Sequence, residues 1–357
     1  MKNVNTLAVT GVLSMAMAAS LLAGCGSQEP ADGTQTAMVI DGHEISLGLA
    51  NYFLRTEQAS TYAQMESMLA YFGGNGSDFW STEEEEGVTY GESFKNSVVT
   101  DLTNLFEIQE HAEELGVSVS DEEQQQIEEA AAAFMEKNAE AMETLGVSID
   151  NVIQALQLRT LETKIRPVVI EDVDREVSDE EAAQSSCTYI RLSIPDDETE
   201  AEEAKSQMEE ILELVLNASD GEDIGEIAEE VNEDCYSAQY SFDQGAYDDE
   251  SNVLDSAVKE VLQDLDENEV HDQVIEGESY YFIIRMDQLF DEEATESKKE
   301  SIITERETEK YDSTIEEWTD GIEPETQKCW DDIVVDDSII YTITTETEST
   351  ETVTSES

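Results

Sequence analysis

Positive charge is what this chain lacks most: 17 Lys and Arg stand against 87 Asp and Glu in 357 residues, a formal charge of −70. A field of that sign repels phosphate backbones and anionic headgroups, which excludes nucleic acid as a partner. Histidine is nearly as scarce. His43, His111 and His271 are the only three, with no ligand spacing among them and no basis for a nucleophile–base–acid set. His43-Glu44 has no second histidine to complete a zinc helix motif. Asp264 to Asn268 opens like a calcium loop, yet Glu269 replaces the required glycine and Ile275 stands where the bidentate glutamate belongs. There is no phosphate-binding loop. The sequence therefore gives no reason to expect a cofactor or a metal. Four cysteines are too few for a disulfide scaffold.

What is present is a folded composition, 39% hydrophobic, carrying its acid on solvated helix faces that favour solubility. Weak, diffuse binding of divalent cations or capture of basic clients is the alternative use of that acid. The length suits two domains, or one with a large insertion. At the start, Lys2 precedes an apolar run from Leu7 to Leu22, followed by Leu22-Ala23-Gly24-Cys25, which resembles a bacterial lipobox. We expect residues 1–24 to be a lipoprotein signal peptide and Cys25 to carry the lipid that anchors the protein outside the cytoplasm to the cell membrane. The run is short for a membrane span, and no other stretch is apolar enough for one. Residues 25–36 read as a polar tether. Cys187, Cys235 and Cys329 then remain, enough for one internal disulfide at most.

Ala37 to Ser46 alternates around Asp41-Gly42, a tight-turn signal, and Ser46 is placed to cap a helix through Asn51 to Leu54. The loop from Gly73 to Gly91 holds Phe79-Trp80 and the acidic run Glu83 to Glu86; the aromatic pair either plugs a core edge or grips clients. Helical spacing resumes at Val98, Leu102, Leu105 and Phe106 and stops at Gly116. Ser120 to Glu123 has the form of a capping box. Leu-Gly-Val-Ser occurs at 115–118 and again at 145–148, as expected of paired helix joints. A further helix is predicted from Asn151 to about Ile165, ended by Pro167.

From Ser186 the pattern changes. Cys187 to Ile194 reads as a strand, Ala204 to Leu216 as an acidic helix, and Gly221 to Ala228 as a second helical piece. A loop from Asp234 to Tyr247 follows, then a helix around Leu254 to Leu265 and strands at Val270–Ile275 and Tyr280–Met286. The order β-α-α-α-β-β gives a small antiparallel sheet with helices packed on it. Asp291 to about Asp332 reads as helix, Ile333–Val335 and Ile339–Tyr341 as a closing strand or edge, and 342–357 as a disordered acidic tail.

Several of these segments resemble one family. Asp234-Cys235-Tyr236-Ser237-Ala238, with Asp243 and Gly245, is similar to the active-site loop of parvulin-type peptidyl-prolyl isomerases, and Gly221 to Ala228 resembles the helix before it. Ala37 to Ser46 and Gln109 to Glu123 resemble the helical chaperone domain of PrsA-type and SurA-type foldases. The resemblance implies an α+β protein. A mostly helical chaperone domain would come from residues 37–185 and 291–341, with a parvulin-like domain inserted at 186–290. It also implies a lipid-anchored foldase whose partners are unfolded exported proteins, with Cys235 and Asp234 as the catalytic candidates. Tyr189 and Phe282 stand where the family has histidines, so isomerase activity is expected to be weak or absent. A non-enzymatic holdase is the alternative; a solute-binding lipoprotein is disfavoured by the lack of repeated strand–helix alternation. A homodimer is left open. Cys187 lies on the strand face of Tyr189, so a Cys187–Cys235 disulfide is a further hypothesis. If Cys25 is the lipid site, Cys25→Ala expressed in a bacterial host will incorporate no labelled palmitate, whereas the parent chain will.

Overall fold

The computed structural model describes residues 15–21, 30–72, 78–219, 222–245, 254–337 and 339–345. Cys25, Gly221, Ala246, Tyr247 and residues 346–357 of the expected tail lie outside them. The chain begins with β1 (Met15–Leu21), the hairpin β2 (Thr36–Ile40) and β3 (His43–Ser46), and helix α1 (Leu47–Phe72). A small hairpin, β4 (Glu83–Glu85) and β5 (Val88–Thr89), leads into α2 (Tyr90–Glu114), α3 (Asp121–Lys137), α4 (Ala139–Leu145), α5 (Ile149–Val169) and α6 (Asp179–Ala182). Next come β6 (Gln184–Ser193), α7 (Glu198–Leu216), α8 (Ile224–Val231), β7 (Tyr236–Asp243), α9 (Ser256–Leu262), β8 (Ile275–Glu276) and β9 (Tyr280–Gln288). The chain closes with α10 (Glu292–Thr319), β10 (Glu325–Thr326), α11 (Lys328–Asp331) and β11 (Ile339–Thr345). Long helices beside small antiparallel sheets make this an α+β fold, as the sequence predicts. Among the described residues no helix is long and apolar enough to cross a membrane.

Two compact units form, one from residues 1–172 with 310–357, the other from Val173–Glu309. Helix starts in the first unit follow local chemistry. Ser46 Oγ accepts from the Leu49 N–H at 3.2 Å, and Thr89, Ser120 and Ser148 each close a capping box with the residue three positions on. The two Leu-Gly-Val-Ser joints turn at Gly116 and Gly146, both left-handed. Gly146 also has no room for a side chain, since a Cβ would come within 2.6 Å of the Gly33 nitrogen. The main core gathers Met38, Ile40, Leu54, Leu102, Leu105, Leu158 and Trp330. Trp80 joins it at 1% exposure with Phe79 half-buried against it, so the pair plugs the core. From the C-terminal segment, Ile315 packs with Ile108 and Ile165, Trp318 stacks on His111 at 4.3 Å, and β10 pairs with β2.

With so few cations, one arginine ties three helices together. Arg159 on α5 reaches Glu57 on α1 at 2.8 Å, Asp101 on α2 at 2.7 Å and Glu162 at 3.1 Å, with its guanidinium 5.3 Å from the Phe53 ring centroid. Burial pushes the Glu57 carboxyl up to about 7; Asp101 adds to the rise and Arg159 opposes it.

The second unit centres on a four-stranded antiparallel sheet in the order β7-β6-β9-β8. The segment expected as a loop after Asp234 is a strand from Tyr236, because Tyr236, Tyr240 and Phe242 repeat with period two on a half-buried surface. Of the expected strand at 270–275 only Ile275, in β8, and an isolated bridge at Val270 remain, and Glu276, expected in the turn, completes β8. The unit is also wider than 186–290. Gln184 binds the Thr295 hydroxyl and the Asp291 N–H, while Lys299–Asp179, Arg306–Glu181 and Arg175–Glu307 tie the flanking segments to each other.

Four further expectations are corrected. Pro167 sits inside the last turn of α5, which continues to Val169 because only one interior N–H is lost there. The helix expected to reach Asp332 stops at Thr319, before Gly321 with φ +79°. Ile333–Val335 is not a strand, whereas Thr342–Thr345, expected in the disordered tail, continue β11 through their β-branched residues and pair with β1. Arg159→Met should destabilise the fold by about 2 kcal/mol, since it strands partly buried carboxylates. Glu57→Gln tests the raised carboxyl. A folded pKa above the unfolded value costs stability as pH rises through it. The variant should therefore melt higher than the parent at about pH 8, and the gap should close by about pH 5.

Candidate functional site

Strand β6 pairs on both sides, and its alternation sorts the second unit into two faces. Ile190 and Leu192, with Tyr281 and Ile283 of β9, pack under α7 and α8 against Met208, Ile211 and Ala228. Cys187, Ile284, Met286 and Phe242 pack on the other face with Val258 and Leu262 of α9. Tyr189 and Phe282 belong to this α9 face, where their rings meet edge-to-face at 6.5 Å.

An aromatic row extends from that pair. Tyr236 lies 6.2 Å from Tyr189, and Tyr280 lies 6.0 Å from Phe282. Arg191, two residues past Tyr189, stacks between the ends of the row, 4.7 Å from the Tyr236 ring centroid and 4.6 Å from that of Tyr280. Among the described residues it pairs with no carboxylate, in a chain where acid is everywhere. Tyr236 is half exposed, at 50%, and Tyr189, Arg191 and Tyr280 are partly so. The Tyr189 phenol is pushed up, first by burial and then by the Tyr236 ring, while Arg191 pulls it down. It stays neutral at physiological pH.

The turn before β9 is shaped to this row. Asp255 caps α9 through the Ala257 N–H at 2.9 Å and accepts from the Glu278 N–H at 3.2 Å. A Cβ on Gly277 would meet Asp255 Oδ2 at 2.5 Å and Phe282 Cε2 at 2.8 Å, so glycine is needed there for the helix and the turn to close on Phe282.

Cys235, the first of the two catalytic candidates, is not part of this face. Cys235 is 6% exposed and packs with the α7–α8 side of the sheet. Burial raises its thiol, and Asp234 raises it further, so it stays protonated. Asp234 is exposed, its N–H held by Asn232 Oδ1 at 2.8 Å. Ser237 points the same way as Cys235, toward Gly225 of α8. Cys187 is fully buried on the opposite face, its thiol raised to about 12 by burial and by Asp287. The hypothesised Cys187–Cys235 disulfide is therefore absent: both thiols are free, and the sheet lies between them. Sequence reading placed Tyr189 and Phe282 together and missed Arg191, Tyr236 and Tyr280. The signal for these was available in the period-two spacing of Tyr189 with Arg191 and of Tyr280 with Phe282.

No protein-family model matches this chain, and no curated protein does. Among solved structures it is similar to the foldase protein PrsA of Streptococcus pneumoniae, at 18% identity over 66% of this chain and 91% of that one, with a TM-score of 0.28. It is similar to the foldase protein PrsA of Lactococcus lactis at 12% identity, covering 83% and 96%, TM-score 0.31. It is similar to PrsA of Bacillus subtilis at 15% identity, covering 66% and 88%, TM-score 0.26. Likenesses of this size leave the function to be argued from the chain's own residues. In native protein Cys187 and Cys235 should resist alkylation and react only as the chain unfolds; a disulfide-linked peptide carrying both would overturn this placement of the thiols.

Proposed function

We propose that this chain is an extracytoplasmic, lipid-anchored chaperone that holds unfolded segments of exported proteins, with little or no peptidyl-prolyl isomerase activity. The observation that carries the reading is the composition of the α9 face. Tyr189 and Phe282 sit together there, extended by Tyr236, Tyr280 and Arg191, while Cys235 packs on the other side of the sheet.

Rotating an X-Pro amide means crossing a barrier of about 18–20 kcal/mol, and an enzyme lowers it with desolvated polar groups tuned to the twisted state. Here the two side chains at the centre of the face are a neutral phenol and a benzene ring. What they offer instead is flat apolar surface for proline, aromatic or aliphatic side chains of an extended client, with a stacked guanidinium at its margin. The strongly acidic surface around the units favours basic clients, so holding should weaken as salt rises. Lipidation at Cys25 would keep the face near the membrane where exported chains emerge.

A protease-coupled assay on an X-Pro peptide, run beside suppression of aggregation of a chemically unfolded client, tests the proposal. The expected outcome is no acceleration above the uncatalysed rate together with clear suppression. Tyr236→Ala and Arg191→Ala should each weaken suppression several-fold without changing the melting temperature by more than a few degrees. Acceleration that is lost in Cys235→Ala would instead make the chain an isomerase. Suppression unchanged in both face variants would move the client contact elsewhere.

A further inference from the structure

The first unit brings together three carboxylates that the sequence keeps far apart. Asp41 lies in the β2–β3 turn, at φ +41°, and Glu107 and Glu110 lie three residues apart on α2. One oxygen from each falls within 4.8 Å of the other two. Acidic neighbours on an exposed surface would need no explanation, but Glu107 is not on the surface. It is 4% exposed, and its Oε1 is buried with no hydrogen-bond partner among the described residues. A buried carboxylate oxygen left unsatisfied beside two more carboxylates is costly unless something positive occupies the space.

The surrounding protein does not supply enough charge. The largest influences on the Glu107 carboxyl are burial, then Asp41 and Glu110, which raise it, and His111 and His43, which lower it; no Lys or Arg ranks among them. His43 Nε2 lies 3.0 Å from Glu110 Oε1 and its ring tilts against Phe106 at 5.5 Å, so it is committed to one edge of the cluster. His111 is stacked on Trp318 and paired with Glu114.

We propose that Asp41, Glu107 and Glu110 form a binding site for one calcium ion, pinning the β2–β3 turn to α2. The donors are all carboxylate oxygens, the choice of a hard cation. Calcium accepts oxygens at about 2.3–2.6 Å in irregular geometry, so oxygens up to about 4.8 Å apart can share one ion, on opposite sides of it. Magnesium, with bonds of about 2.0–2.1 Å and a strict octahedron, demands closer and more regular donors. Three protein ligands, the rest being water, place the affinity in the weak range of extracellular modules, about 10⁻⁴–10⁻³ M. The site depends on the first unit alone and not on the proposed client face.

The test is thermal unfolding of the chelator-stripped chain in increasing CaCl₂ at constant ionic strength, beside Glu107→Gln and Asp41→Asn. Each substitution removes one charge from −70, so diffuse binding to the acidic surface changes little. The parent should show a rise in Tm that follows a single saturable site. Each variant should weaken that site by at least about tenfold, since even an outer-shell partner is worth that much to a metal. Glu107→Gln should also melt higher than the parent without calcium. Asp41→Asn keeps the test valid if the buried variant folds poorly, because asparagine tolerates the left-handed turn. An equal calcium response in the parent and Asp41→Asn, or no saturable step in the parent, would overturn the site. A response to MgCl₂ equal to that for CaCl₂ would overturn its assignment to calcium.

Discussion

The second unit depends on one constraint, the two-residue period of β6. Because this strand is paired on both sides, every side chain along it is committed to one face or the other. Ile190 and Leu192 go to the α7–α8 core; Cys187, Tyr189 and Arg191 go to the α9 side. That assignment then fixes the chemistry. Phe282 can meet Tyr189 because both strands present the same face, and Cys235 cannot, because it enters the sheet on the other. A one-residue slip of β6 would exchange the two sets, placing Arg191 in the core. The unit's function, whatever the client, follows from that register.

Several of the scarce cations have a recognisable task. Arg159 binds carboxylates from three helices, Lys164 reaches Glu123 and the Ser118 carbonyl, and Lys95 donates to the Asp331 and Ile333 carbonyls. These contacts join segments distant in sequence within the first unit, where apolar packing alone would leave like-charged surfaces opposed. Arg191 is different. It stacks on two tyrosines and, among the described residues, satisfies no carboxylate, the arrangement expected of a group kept for contact with another molecule. The acidic trio at Asp41 is its converse, three carboxylates gathered with no Lys or Arg paired to them among the described residues.

What was legible in the sequence was local. Ser46, Ser120 and Gly116 announced their helix ends because capping is decided within four residues. Cys187 to Ile194 read as a strand because alternation and β-branched residues agree there, and the strand observed is Gln184–Ser193. The misses came where a local cue competed with a longer-range one. The Ser237-Ala238 resemblance suggested a loop and concealed the alternation of Tyr236, Tyr240 and Phe242. Pro167 looked like a stop, yet a proline near a helix end costs too little to end it. The facing of Cys235 could not be read at all, since it depends on how the chain enters β7. The trio of Asp41, Glu107 and Glu110 was equally hidden, because a turn and a distant helix supply it and no spacing rule connects them.

The central claim is that the aromatic face binds extended chain without turning over its proline bonds. Proton exchange spectroscopy on a labelled X-Pro peptide measures both at once. With the protein in substoichiometric amount, peptide resonances should broaden or shift as the face engages them, Tyr236→Ala should weaken the change several-fold, and cis–trans exchange should stay on the scale of tens of seconds or slower. Exchange cross-peaks between cis and trans forms at sub-second mixing times would contradict the account.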